Sequence, residues 1–491
     1  MTFSRRSFIQ TVSASAALGL SACDHRARQS SASNAEDRFR NAYDGTLIAR
    51  ADQHYESWRA GSLWQMSIPE RRPDLIARPR NDAAVAATLE YAAGNDLRVA
   101  CKSGGHNIAA SFMRDTGVML DLGEYNQIGA IDENGTIWVG PAAWSWHLAR
   151  VIEPQGYTFP YAHCATVSMG GYLLGGGIGI NGDALGGIAC HSVIGLKIML
   201  PSGEVVTANK HNNADLFWLA RGAGTGFFGA ILAFQLKLYP RSTEIIEQVY
   251  LYPLEASKAI GQWLEKIAKV CPKNIELLSL MTHRPPPLAG KTAAEQKMNV
   301  ARLAAFGTLE NDAASTMASI NHIKPPEGVL FVPPPTSLDI YQVLVGSIDP
   351  ILGMGFGRYN VETIWTDGLG AALDALVPSF IEATSPKTHI LSTPRHGASL
   401  QDDASFSSLG SSFVGIYSIW DDADEDQNNV SWTHAAAAQM APHSVGRYIN
   451  EIDGFSFPDK IADCYSESSY ERIASLRNEY DENRLFHGFP A

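Results

Sequence analysis

Apolar positions along the chain follow two periods, and the change between them divides it. Up to about residue 240, apolar runs of four to nine residues alternate with turn-forming residues. These runs predict strands at 72–79, 97–101, 118–122, 128–131, 136–139, 193–200, 204–207 and 230–238. Helical spacing predicts helices over 43–58, 83–93, 146–153 and 215–220. For 83–93, Asn81-Asp82 supplies the cap, Val85, Leu89 and Ala92 share one face, and Gly94-Asn95 closes the last turn. Pro201-Ser202-Gly203 reads as a β-turn between two strands. Beyond Tyr239-Pro240 the texture shifts. Strands at 243–252, 276–282, 300–309 and 413–420 alternate with helices at 254–268, 312–320 and 369–380, and two triple-proline loops punctuate them. This half reads as a sheet backed by helices. The acidic run 421–426 reads as a solvated loop, and there is neither an internal repeat nor a run long enough to span a bilayer.

At 491 residues the chain exceeds one hydrophobic core, so two domains are expected. Its formal charge of −13 repels phosphate backbones and excludes nucleic acid as a partner. The six cysteines are scattered and form no Cys-x-x-Cys pair, which argues against a disulfide framework or a metal site. Near the start, Ser4-Arg5-Arg6-Ser7-Phe8-Ile9 has the twin-arginine export pattern, followed by a short apolar run ending in Leu20-Ser21-Ala22-Cys23. That ending resembles a bacterial lipobox, which implies a lipid anchor on Cys23; the alternative is ordinary cleavage near Ala22 with a chance cysteine. Residues 24–42 read as a tether.

Chemistry concentrates in two small-residue segments. The first is Lys102-Ser103-Gly104-Gly105-His106-Asn107, at the end of a predicted strand, whose backbone N–H groups suit an anion nest. The second runs from His163-Cys164 to Gly179, with six glycines between 170 and 179, a density that demands sharp turns or close approach. Its end overlaps Gly177-Ile178-Gly179-Ile180-Asn181-Gly182, a literal dinucleotide fingerprint with Glu204 downstream. A Rossmann site needs a strand before that motif and a continuous helix after it, and Asp183-Ala184-Leu185-Gly186-Gly187 is poor helix material. The Rossmann reading is rejected on context. Taken alone, His106 reads as a cap or solvent-facing side chain and Cys164 as a small buried hydrophobe; one in each glycine loop, they read as a pair.

Together these segments resemble the two flavin-attachment loops of the berberine-bridge-enzyme-like FAD-linked oxidases, a family with the vanillyl-alcohol-oxidase/PCMH-type FAD-binding fold. Asp215-Leu216-Phe217-Trp218 through Gly224, Tyr448-Ile449-Asn450 and the segment 470–481 are similar to further signatures of that family. The resemblance implies an α+β fold. A two-part FAD-binding domain (43–240) follows a signal (1–23) and the tether; a substrate domain of antiparallel sheet backed by helices (241–445) comes next, and a C-terminal segment (446–491) returns to complete the FAD site. It also implies FAD attached twice, through His106 at the 8α-methyl carbon and Cys164 at C6. Ser103, Gly104, Gly105, Asn107, Gly170, Gly171, Gly175, Gly177 and Asn450 would then contact the cofactor. Imidazole and thiolate are the side-chain nucleophiles suited to an electron-poor ring.

The same resemblance places Tyr448 as the base that takes a substrate proton while hydride leaves for flavin N5. The alternative is that Tyr448 packs against the flavin, because a phenol with a pKa near 10 needs help to act near neutrality. On strand 412–420, alternate side chains face a pocket or the core, Tyr417 and Trp420 among them. Val167 falls at the position associated with oxygen access. Lys102, Asn107, Ser168, Tyr172, His191 and Phe227 depart from the usual family residues. The implied activity is oxidation of a small alcohol, sugar or alkaloid-like molecule with O2 as acceptor, giving H2O2, at an exported, extracytoplasmic location. The alternatives are a dehydrogenase that passes electrons to a quinone or a protein, and a flavin protein with a binding role.

Overall fold

The computed structural model describes residues 39–346 and 355–489. The export signal, Cys23 and most of the tether lie outside them. Three sheets organise the rest. The first has strand order β1-β2-β4-β3, from β1 (Gly45–Ala49), β2 (Leu75–Pro79), β3 (Val99–Lys102) and β4 (Val118–Asp121). β2, β4 and β3 pair in parallel, with β1 antiparallel at the edge. Parallel strands covered on both faces need continuous apolar runs, and Val118–Asp121 is buried at every position. The second sheet is antiparallel, in the order β5-β9-β7-β8, from β5 (Thr136–Val139), β7 (Val193–Met199), β8 (Val205–Ala208) and β9 (Ala230–Lys237). Between them in sequence lies β6 (Tyr157–Thr158), which pairs with β10 (Tyr239–Pro240).

The third sheet has seven antiparallel strands in the order β14-β11-β13-β12-β16-β17-β15. They are β11 (Ile245–Pro253), β12 (Ile275–His283), β13 (Lys297–Phe306), β14 (Thr336–Leu338), β15 (Arg358–Thr366), β16 (His389–Pro394) and β17 (Ser412–Trp420). Helices Ser257–Ala268, Leu369–Glu382 and Asp426–Met440 share a core with this sheet, contributing Trp263, Leu373, Phe380 and Met440. With that face covered, the other faces the cavity described below, and all nine residues of β17 are buried.

The C-terminus closes back on the first sheet. Val99 donates its N–H to the Leu485 carbonyl at 2.7 Å and accepts from the His487 N–H at 2.8 Å, so 485–487 runs alongside β3. Helix Glu467–Tyr480 adds Ile473 and Leu476 to the large core shared by the first two sheets. No described helix is long and apolar enough to cross a membrane.

Several expectations are corrected. The helix expected over 43–58 is instead β1 followed by helix Tyr55–Gly61. At Gly45, with φ of +155°, an added Cβ would meet the Arg78 carbonyl and the Tyr43 ring, so pairing with β2 overrides local helical spacing. Residues 128–131 make only a single bridge, Ile128 to Val139. The run 421–426 is exposed through Glu425, in line with a solvated loop, and only its last residue is held: Asp426 accepts from the Arg358 Nε at 2.5 Å and the Trp420 indole at 2.7 Å. β15, β16 and helix Asp426–Met440 have no counterpart in the sequence expectations.

Candidate active site

The first and third sheets face each other across a cavity of about 310 Å³. Its walls are the loop after β3, the segment 162–178, strands β12, β16 and β17, and the C-terminal residues around Tyr448 and Phe486. Ser103, Gly104, Gly105, His106, Asn107, Cys164, Gly170, Gly171, Tyr448 and Asn450 all line it, so residues scattered from position 103 to position 450 meet at one place. Gly175 and Gly177 lie behind the wall. A Cβ on Gly175 would collide with the Asn450 amide, and Gly177 (φ +93°) donates its N–H to the Tyr448 hydroxyl at 3.0 Å. The fingerprint over 177–182 follows a short helix, Met169–Leu174, and leads into turns, and Glu204 precedes a strand antiparallel to β7. Its context is not that of a Rossmann motif.

His106 and Cys164 face this cavity from opposite loops, joined through Thr166. The Thr166 hydroxyl lies 2.8 Å from the His106 Nε2 and 3.6 Å from the Cys164 sulfur. The His106 ring stacks on Trp64, with centroids 4.8 Å apart and planes 10° from parallel. Burial strips water from the imidazole and pushes its pKa down to about 3, so it stays neutral and keeps a lone pair. Ser103 and Ser168 meet hydroxyl to hydroxyl at 3.2 Å, pinning the two loops together. The departures from family pattern are accommodated locally. Lys102 pairs with buried Asp121 at 3.1 Å, the Asn107 side chain accepts from the Ser111 N–H, and the Tyr172 hydroxyl donates to the Pro160 carbonyl.

Tyr448 is 3% exposed, and its ring packs edge-on against Trp365, Phe406 and Phe413. Its hydroxyl accepts from Gly177 and from the Asn450 amide at 3.1 Å, and donates to no described residue. Burial, followed by the charge of Glu451, pushes the phenol above its usual range, and the two donors pull the other way without reversing the shift. The resting side chain is therefore neutral. Glu451 also lines the cavity and accepts from the Tyr417 hydroxyl at 2.6 Å; burial raises its carboxyl pKa. Tyr417 is buried and stacks on His389, while Trp420 is core.

Beside these groups, Glu276 of β12 lines the cavity between His163 at 3.3 Å and Arg302 at 3.0 Å, and it accepts from the Asn181 N–H at 2.8 Å. Burial by itself raises this carboxyl, but His163, Arg302 and the Asn181 N–H outweigh it and hold it well below the usual range. Arg395 is paired with Asp183 at 2.7 Å and leaves its Nε without a partner. Arg114 Nε and His487 Nε2, on two further residues of the lining, are buried without partners. Sequence reasoning missed Trp64, Thr166, Glu276 and Glu451. Of these, Thr166 sat inside the recognised 163–179 segment and Glu451 directly after Tyr448-Ile449-Asn450, while Trp64 and Glu276 lay outside every recognised motif.

The walls fit FAD. Two nucleophiles share the cavity, a Cβ on Gly171 would meet nothing within 4 Å, and the lining residues Arg114, Arg395 and His487 carry buried nitrogens without partners. Leu278, Leu391 and Phe413, with Glu276, Arg395 and Glu451, give the third-sheet side a mixed apolar and polar surface.

A family profile described as an FAD binding domain matches residues 73–209. An FAD-linked oxidoreductase of Penicillium ochrochloron, ptmO, is 26% identical over 443 residues, covering 89% of this chain and 94% of the relative. The 6-hydroxy-D-nicotine oxidase of Arthrobacter nicotinovorans superposes with a TM-score of 0.77 at 18% identity, covering 91% of this chain and 98% of that one. Glucooligosaccharide oxidase of Acremonium strictum, described with a 6-S-cysteinyl, 8α-N1-histidyl FAD, gives 0.76 at 16% identity, covering 92% and 98%. At these identities the superpositions establish a shared fold.

Proposed function

We propose that this chain, an FAD-linked oxidoreductase with the fold of the berberine-bridge-enzyme-like flavin oxidases, holds its flavin by two covalent bonds, at His106 and Cys164. It would use that flavin to oxidise a small alcohol, sugar or alkaloid-like molecule. The observation that carries the reading is that both nucleophiles line one cavity and share a hydrogen-bonding hydroxyl. Once bound, the flavin supplies the hydride acceptor, and O2 takes the electrons as H2O2.

The chain's own groups divide the remaining work. Ser103, Gly104, Gly105 and Asn107 offer backbone and side-chain donors to the cofactor's diphosphate. Tyr448 first yields its own hydroxyl proton toward Glu451, the Gly177 N–H and Asn450 amide hold the phenolate that remains, and that phenolate then takes the proton that must leave the substrate. Glu451, a carboxylate of raised pKa near that phenol, offers the proton its next resting place. The mixed surface of β12, β16 and β17 accommodates a substrate with both apolar and hydroxyl or amine character. Its polarity and the fold shared with oligosaccharide and nicotine oxidases support that breadth.

The test is denaturation of the purified chain. Yellow flavin should stay with the polypeptide, and His106→Ala and Cys164→Ala should each retain it with a shifted spectrum. Complete release from the wild type overturns both attachments. Turnover with O2 alone is expected; activity that requires a quinone or dye assigns a dehydrogenase instead. Export by the twin-arginine route, with anchorage at Cys23, belongs to the same proposal. Changing Arg5 and Arg6 together to lysine should trap the chain in the cytoplasm, and unchanged export would sink that part.

A further inference from the structure

Thr166 has no role in what precedes beyond its two contacts, yet its position is specific. It does not line the cavity, whereas His106 and Cys164 do, so it stands on the protein side of both nucleophiles. Its hydroxyl is 2.8 Å from the His106 Nε2, and the His106 Nδ1 has no hydrogen-bond partner among the described residues. The ring plane is already set by the stack on Trp64. What remains free is rotation of the imidazole within that plane and the choice of tautomer, and a hydrogen bond at Nε2 settles both. Accepting from Nε2–H directs the Nδ1 lone pair away from the protein. The Thr166 O–H is then left to donate, and the Cys164 sulfur, 3.6 Å away, is the acceptor in reach.

From this geometry we infer that Thr166 is the positioning residue for covalent flavin attachment, acting on both nucleophiles through one hydroxyl. The inference rests on the proposed bicovalent flavin. In the histidyl step a C–N bond from Nδ1 replaces one C–H bond of the 8α-methyl group. The carbon-bound hydrogen leaves as a proton, and its electron pair reduces the ring. The Nε2 proton leaves by way of Thr166, and O2 reoxidises the ring, so that imidazole N–H, methyl C–H and O2 yield the linked flavin and H2O2. The neutral imidazole left by burial supplies the lone pair this step needs. Thr166 also polarises the thiol of Cys164 toward the nucleophilic thiolate.

The test compares the full-length wild type, Thr166→Ser, Thr166→Val and Thr166→Ala, each purified and assayed for total flavin before denaturation and for covalent flavin afterwards. Peptide mapping by mass spectrometry then distinguishes the His106 and Cys164 linkages. Wild type and Thr166→Ser should carry both. Thr166→Val should bind as much total flavin, but the rate at which its histidyl linkage accumulates should fall by about tenfold or more, reflecting loss of one hydrogen bond to the nucleophile. Histidyl attachment in Thr166→Val at the wild-type rate overturns the inference. So does loss of total flavin from Thr166→Val and Thr166→Ala alike, because Thr166 would then be building the pocket. A wild type without covalent flavin would instead overturn the attachment reading itself, before Thr166 is tested.

Discussion

A buried phenol is a poor base until something else carries its proton. Tyr448 has two donors aimed at its oxygen, while burial first and the nearby Glu451 charge second raise its pKa and keep the phenol neutral at rest. The donors favour the phenolate once it forms, and Glu451 supplies a site that titrates above the ordinary carboxyl range. Tyr448→Phe should lower kcat by about 10²–10⁴-fold with flavin content intact; an unchanged kcat would return Tyr448 to a packing role. As a proton acceptor Glu451 must be ionised, so wild-type kcat falls as pH drops through its raised pKa. Glu451→Gln should lower kcat and flatten that acidic limb, and a limb that persists would clear Glu451 of the role. The residue types of the site were legible in the sequence because each brings its own chemistry. The partners that tune them were not, since Glu451 accepts from Tyr417, which stands on β17, 34 residues earlier.

At the scale of elements, local signals were readable wherever the backbone itself supplied the satisfaction. Asn81 caps helix Asp82–Gly94, its side chain accepting from the Ala84 N–H at 2.9 Å, as the sequence predicted. Asn81→Ala should cost about 1 kcal/mol in denaturant unfolding and leave turnover of the folded enzyme unchanged; no loss of stability would mean the cap is replaced by water. Elements that exist only through distant pairing were misread or missed. β1 forms against β2, 25 or more residues away, and β16 is held between β12 and β17, with no local signal of its own. Within the glycine segment, Met169–Leu174 winds into a helix because Met169 and Leu173 find a buried core.

Across the whole molecule, the two halves of the cavity are tied by a buried carboxylate. Glu276, on the seven-stranded sheet, bonds to His163 and to the Asn181 N–H of the glycine segment, while Arg302, itself paired with Glu247, holds its other oxygen. Removing one partner of such a network leaves buried charge uncompensated, so Glu276→Gln should destabilise by about 3 kcal/mol at neutral pH. The sign with pH follows from the depressed pKa of the folded state. Stabilisation is complete above the ordinary carboxyl value of 4.5 and is lost as pH falls through it toward the lower folded value. The gap between wild type and variant, measured by denaturant titration, should therefore be widest near neutrality and close in acid. A gap independent of pH would show that packing, not charge, is what Glu276 contributes.

By itself the sequence determined the two nucleophile loops, the capped helix, the change of texture near residue 240 and the rejection of a dinucleotide fold. Each follows from residue type and short spacing. Only the tertiary structure decided that Thr166 joins His106 to Cys164, that Gly177 and Asn450 converge on Tyr448 from 271 and two residues away, and that Glu276 ties the seven-stranded sheet to His163 and Asn181. Those contacts depend on where distant segments come to rest, and burial, which sets their charge states, is a property of the packed molecule that no local pattern carries.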